Sequence, residues 1–295
     1  VIMAENKKSK RVGKTPAKIV FSIIISLSII LFFRFLPAPA GLSASGMHVI
    51  GTFIGVLMLW ITVGIDWPSL LCLASLSFIP SLGVDTVLKN SFGNSTFAFL
   101  LFTFICTYAI SQTGLVRRIA LGFVTSKIAK KGPWQLATLF LLSDLVIGLF
   151  MPPTVLFFIM LPILEEIYHV LNLKKGDKFA TLLMVGLAFF TSLASGMTPI
   201  AHVFPVLAMG VFQTAAKATI SYADYMFFAI PSGFIIFILM MLIFRFVLNP
   251  SVKEFESLDQ NKLETLKDEI PEADIKEKFI ISIFAFVIVL WVAPG

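Results

Sequence analysis

Apolar positions along the chain gather into stretches of about 20 residues at 17–36, 46–64, 95–113 and 223–248. Helices of that length cross the ~30 Å hydrocarbon layer of a bilayer. A shorter continuous stretch, 68–83, lies between Pro68 and Gly83-Val84-Asp85. A last apolar run starts at Phe279 and stops in mid-span at Pro294-Gly295, so the chain is expected to be part of a longer protein. Two further regions are apolar but interrupted. Residues 134–169 are broken near the middle by Met151-Pro152-Pro153-Thr154, and residues 179–213 by Thr191-Ser192-Leu193-Ala194-Ser195-Gly196-Met197-Thr198-Pro199. Two full crossings with a turn need more than about 40 residues, so 134–169 is predicted to be a re-entrant helical hairpin. Residues 179–213 are predicted to be one transmembrane helix broken near its centre.

Composition agrees with a polytopic membrane protein. Of 295 residues, 58% are hydrophobic and 14% charged, with 31 Phe and a mean hydropathy of +0.94. A soluble domain is roughly a quarter charged and about 45–50% apolar. A soluble enzyme, a nucleic-acid-binding domain and a disordered chain are excluded together, and the lipid bilayer becomes the first partner. Cys72 and Cys106 both lie in apolar runs without CxxC or His neighbours, where a thiol packs as a small hydrophobe.

The net charge of +6 describes topology. With the N-terminus in the cytoplasm, 20 of the 23 Lys+Arg fall in inner segments, leaving Arg34, Lys89 and Lys217 outside. The asymmetry holds only if 134–169 returns to the cytoplasm, because 114–131 and 174–178 are both basic. Charge thus supports the hairpin independently of length. A cleaved signal peptide is the alternative for the N-terminus. Its apolar core, about 18 residues from Ile19 to Leu36, exceeds the usual 7–15. In 115–131, Leu115, Ile119, Phe123 and Ile128 are expected to form the apolar face of an interfacial helix, with Arg117, Arg118, Lys127, Lys130 and Lys131 opposite. A second, acidic surface segment is expected at 251–270.

Broken backbone at membrane depth is tolerated only where protein or a polar cavity satisfies it. Paired interruptions point to a transporter's midplane site. Thr198-Pro199 reads as an N-cap followed by the first residue of a helix, and Pro153 as the first residue of the hairpin's second arm. Helix N-termini aimed into the interior favour an anion. Thr154, Ser192, Ser195 and Thr198 add hydroxyls; the alternative is that the prolines merely kink packed helices. Asp144, in the hairpin's first arm, could bind a cation, carry a proton or be paired structurally. His202 could be a ligand, a proton carrier or a hydrogen-bonded core residue. Glu165, Glu166 and His169 read as a solvated end. The sequence holds no HExxH, GxSxG or Gly-rich phosphate loop. No enzyme motif and no bound cofactor are expected.

The order of features resembles the divalent anion/sodium symporter family of di- and tricarboxylate and sulfate carriers. The resemblance lies in Leu59-Trp60-Ile61-Thr62 before the short run 68–83, then Ser91-Phe92-Gly93-Asn94 and Thr113-Gly114-Leu115-Val116-Arg117-Arg118-Ile119-Ala120-Leu121. Met160-Leu161-Pro162-Ile163 and Ser195-Gly196-Met197-Thr198-Pro199 match in position. The resemblance implies an all-α, elevator-type homodimer in the cell's inner (plasma) membrane, of which this chain supplies the first of two inverted repeats. It implies a basic tail (1–16), a scaffold (17–113), an arm helix (114–131) and a transport part (132–248). A charged cytoplasmic linker (249–278) and the start of the next transmembrane helix (279–295) would follow.

Succinate, malate, 2-oxoglutarate and citrate are the substrates implied. Their small carboxylate anions would be held at Thr154, Ser195, Gly196, Thr198 and Pro199. The family's hairpin tip carries Ser-Asn-Thr, where this chain has Pro152-Pro153-Thr154. Two side-chain oxygen ligands for sodium are thereby missing. A sodium site near Gly148, Pro153 and Gly196 would need carbonyls or Asp144 instead. Carboxylate exchange, or H+ coupling through Asp144 or His202, competes with Na+ coupling. A sulfate-type carrier and a non-transporting half-length membrane protein are the alternative functions.

Overall fold

A computed structural model describes residues 16–174, 176–250, 252 and 272–292. All regular elements among the described residues are helical. The chain divides into two compact units, parted between Ala98 and Phe99.

The first unit is built on α1 (Pro16–Phe35) and α2 (Ala44–Thr62), which lie against one another. Gly51 and Gly55, one turn apart on α2, make the approach possible. A Cβ at either would overlap Phe33 or Ile30 of α1. Small residues four apart let helices pack closely where lipid removes the hydrophobic drive between them. Ser43 caps α2 by accepting from the Gly46 N–H at 3.0 Å. The Thr52 and Ser75 hydroxyls share a buried 2.8 Å hydrogen bond, tying α2 to α3 (Asp66–Ser77). Next comes α4 (Gly83–Ser91), a short amphipathic helix that the apolar pattern does not announce. The helix after it, α5 (Ser95–Ser111), begins in this unit and continues into the second.

The second unit continues with α6 (Leu115–Val124), a single 3-10 turn at Ala129–Lys131, α7 (Pro133–Gly148) and α8 (Pro153–Val170). Then come α9 (Lys178–Ser195), α10 (Val203–Ala216), α11 (Tyr222–Leu242) and α12 (Ile275–Val292). Six residues in π geometry, Ile243–Leu248, prolong α11. Apolar almost all round, α7 sits in the core, with Leu136, Ala137, Phe140, Leu141 and Leu145 fully buried. It packs on α9, as does α8. Edge-to-face contact of Trp134 with Phe179 (5.3 Å) and tilted contact of Phe190 with Phe237 (4.8 Å) lock α7, α9 and α11 together. Arg245 closes the end of α11 over the Trp134 ring at 5.4 Å.

Five described helices are long and apolar enough to cross a membrane: α1, α2, α8, α9, and α11 with its prolongation. With 16 residues, α7 is about 24 Å long, short of a ~30 Å span.

Three expectations are corrected. The surface helix is shorter than 115–131, and its buried stripe is Val116, Ala120, Leu121 and Val124, while Ile128 is exposed. The reason is that α6 packs on α7 and α8, so protein neighbours rather than lipid choose its inner face. The last helix begins at Ile275 rather than Phe279, because the Asp274 carboxylate caps it by accepting from the Glu277 N–H at 2.7 Å. Finally, the second arm of the broken helix starts at Val203, not at Pro199, as the site geometry explains. Most of the acidic segment expected at 251–270, and much of the linker 249–278, lies outside the described residues.

Candidate functional site

Each interrupted region breaks where the sequence stops offering helix donors. Ahead of the first break, α7 ends at Gly148. Leu149 and Phe150 turn back to the Val146 and Ile147 carbonyls, and Pro152 in extended geometry hands over to Pro153, the first residue of α8. Proline suits that position, where an amide has no helical partner. Pro152 provides no side-chain cap, so the first amides of α8, at Thr154 and Val155, have none from that side chain. Thr154 and Val155 are exposed.

The second break runs from Gly196 to His202. Gly196 and Met197 N–H groups bond the Leu193 and Ala194 carbonyls, ending α9. Thr198 does act as a local cap: its hydroxyl accepts from the Ala201 N–H at 3.3 Å. It organises only one turn, however, because His202 returns to extended backbone (φ −148°, ψ 151°) and starts the helix anew. The His202 ring caps α10 itself, Nδ1 accepting from the Phe204 N–H at 3.2 Å. Two residues inside α10, Pro205 carries no N–H at all. The N-terminus expected at Thr198-Pro199 is therefore four residues later, and its amides are largely satisfied.

The two breaks meet. The buried Thr198 hydroxyl donates to the Leu149 carbonyl at 2.5 Å, joining the second break to the first. Gly148 lies beside Ala194, and a Cβ there would overlap the alanine's. One turn back along each helix, Asp144 of α7 is fully buried and receives the Thr191 hydroxyl of α9, 2.9 Å from Oδ1 and 3.1 Å from Oδ2. Asp144 and Thr191 each stand four residues before a helix end, so the bridge repeats the junction one turn away.

Sequence reasoning passed over α11. The Tyr225 hydroxyl donates to the Gly196 carbonyl at 2.6 Å, and Met197 fills the space left by the missing side chain of Gly233. A glycine facing an interrupted helix was the available signal. Ser195 gives its proton to the Ser192 carbonyl (2.7 Å), and Pro199 is buried. Thus Thr198, Gly196, Pro199, Gly148, Pro153 and Asp144 gather at or near one junction, Thr154 lies on its exposed side, and His202 is a cap.

A family model described as "Sodium:sulfate symporter transmembrane region" matches residues 17–295. The chain belongs to this family. It is a multi-pass membrane protein, consistent with its apolar helices. Among curated members, the chain is 24% identical over 298 residues to the "Sodium-dependent dicarboxylate transporter SdcS" of Staphylococcus saprophyticus, covering 98% of this chain and 56% of that one. It is 24% identical over 305 residues to the "Putative malate transporter YflS" of Bacillus subtilis, covering 97% of this chain and 61% of that one. The chain therefore spans a little over half the length of the curated relatives it matches.

Sodium, implied by the family, can be tested against the oxygens present. Pro152 and Pro153 offer no side-chain ligand, and among the described residues no cluster of three or more His, Cys, Asp or Glu could hold a metal. Backbone does better. The C-terminal ends of α7 and α9 converge at the junction, where their carbonyls carry the negative end of each helix dipole. A carbonyl that already accepts one hydrogen bond keeps a second lone pair. The residues present thus leave main-chain oxygen, rather than side chains, as what would hold a hard cation here.

Proposed function

We propose that the chain forms the hairpin and broken-helix part of a secondary carrier for small divalent or trivalent organic anions such as succinate, malate, 2-oxoglutarate and citrate. One observation carries the reading: two interruptions of apolar helices are joined by the Thr198–Leu149 hydrogen bond. Helix ends of both signs gather there, the arrangement that suits an anion and its coupling cation together. The substrate carboxylate meets the amides of Thr154 and Val155 and the Thr154 hydroxyl at the N-terminus of α8, because α10 already satisfies its own first turn. Ser195 and Thr198 hold backbone in place rather than offer free protons. Na+ is taken by carbonyls around Gly148, Pro153 and Gly196, and Asp144 fixes α7 to α9 through Thr191. The names of the curated relatives, dicarboxylate and malate transporters, support the substrate class.

In the same reading the protein is an elevator-type homodimer of the inner (plasma) membrane with a cytoplasmic N-terminus. Residues 17–113 act as scaffold, 114–131 as arm and 132–248 as the moving part. The bias of basic residues supports the orientation. The expected result for the protein reconstituted in vesicles is accumulation of labelled succinate or malate, faster under an inward sodium gradient. Accumulation no greater than in empty vesicles, with and without sodium, overturns the proposal. The family description names sulfate, which keeps an inorganic dianion as a second reading. Excess sulfate that abolishes succinate uptake, and is itself taken up, would favour it.

A further inference from the structure

One charged contact stands apart from the two breaks. Arg118 of α6 and Glu277, in the first turn of α12, lie 159 residues apart in sequence. The guanidinium grips the carboxylate with two prongs, Nη1 donating to Oε1 and Nη2 to Oε2, the latter at 3.2 Å. Local structure aims both side chains. Asp274 caps α12 through the Glu277 N–H and makes Glu277 its third residue. In a reciprocal capping box that carboxylate would fold back on its own helix; here it reaches across to α6. Gly114 lies one turn before Arg118, and a Cβ there would come within 3.1 Å of Nη2, so the glycine leaves the guanidinium room. The Arg118 and Glu277 side chains are 27% and 12% exposed, which shields the pair from full solvent screening. The hydrogen bond to Glu277 pushes the Arg118 guanidinium still higher than its ordinary value, so its charge persists.

Seven residues beyond Glu277, on the same face of α12, Phe284 is buried and meets Phe150 edge-to-face at 6.3 Å. Phe150 belongs to the first break. Ile280 and Ile281 pack on the same core between the two contacts. One helix therefore grips α6 at its first turn and the hairpin break two turns later.

We propose that Arg118 and Glu277 are positioning residues, a clasp that sets the seating of α12 against the hairpin break. Its effect on transport rests on the breaks being the substrate site; the clasp itself can be tested without transport. Phe150→Cys and Phe284→Cys, in a chain with Cys72→Ser and Cys106→Ser in lipid nanodiscs, are treated with a short bifunctional methanethiosulfonate, and cross-linking is followed by intact mass. The expected result is cross-linking about fivefold slower with Arg118→Glu or Glu277→Arg, restored to within about twofold when the charges are exchanged together. Equal rates in all four backgrounds, or an exchange as slow as the single variants, overturn the clasp. Succinate uptake by the same charge variants, with Phe150 and Phe284 in place, separates the two proposals. Uptake that falls and recovers with the cross-linking supports both. Cross-linking that responds while uptake does not upholds the clasp and overturns its effect on transport.

Discussion

At the residue scale the site rests on Thr198, Thr154, Asp144 with its partner Thr191, and His202. Thr198→Val keeps the shape but leaves the buried Leu149 carbonyl without its donor, which costs about 1–3 kcal/mol. Uptake should fall, while the purified protein still inserts and elutes as wild type. Thr154→Ala, on the exposed side, should lower uptake with little change in thermal unfolding. Wild-type uptake in both variants would contradict the site. At Asp144 the informative change is on its partner. Thr191→Val strips a fully buried carboxylate of its described donor and should lower stability by about 3 kcal/mol, whereas Asp144→Asn keeps an acceptor for Thr191 and should cost far less. Thermal unfolding in detergent ranks the two. His202 is a cap, so His202→Asn should unfold with wild type and His202→Ala about 1 kcal/mol lower. Asp144 was legible in the sequence as a rare intramembrane carboxylate, but Thr191 as its partner was not. Nothing in two helices 47 residues apart says which hydroxyl faces which acid.

Among the elements, the breaks themselves were the most readable feature, because proline and small polar residues in an apolar run leave little alternative. The start of α10 was misread for a physical reason. Thr198-Pro199 has the chemistry of a helix start and makes a real one-turn cap, and only the extended backbone at His202 shows that the turn does not propagate. The stripe of α6 was one residue out because helical spacing alone does not say which neighbour will cover it. The close approach of α7 and α9 gives a reversible test. Gly148→Ala should push the two helix ends apart and abolish uptake, and Ala194→Gly in the same chain should restore much of it by removing the atom it strikes. A double variant no better than Gly148→Ala would show that the junction does not depend on this contact.

On the scale of the whole molecule, apolar span length, composition and resemblance pointed to an all-helical polytopic membrane protein of the divalent anion/sodium symporter family, and the family match and the apolar helices agree. In the proposed reading sodium is taken by carbonyls at this junction, so coupling should be more sensitive to backbone geometry than to any single polar residue. The central claim is that a carboxylate docks where the two interruptions touch. Val155→Cys, beside Thr154 at the open N-terminus of α8, reads that directly in a chain with Cys72 and Cys106 replaced by Ser. Its alkylation by a maleimide in reconstituted vesicles should be slowed several-fold by succinate or malate in the presence of sodium. A labelling rate indifferent to every carboxylate and to sodium would contradict the account.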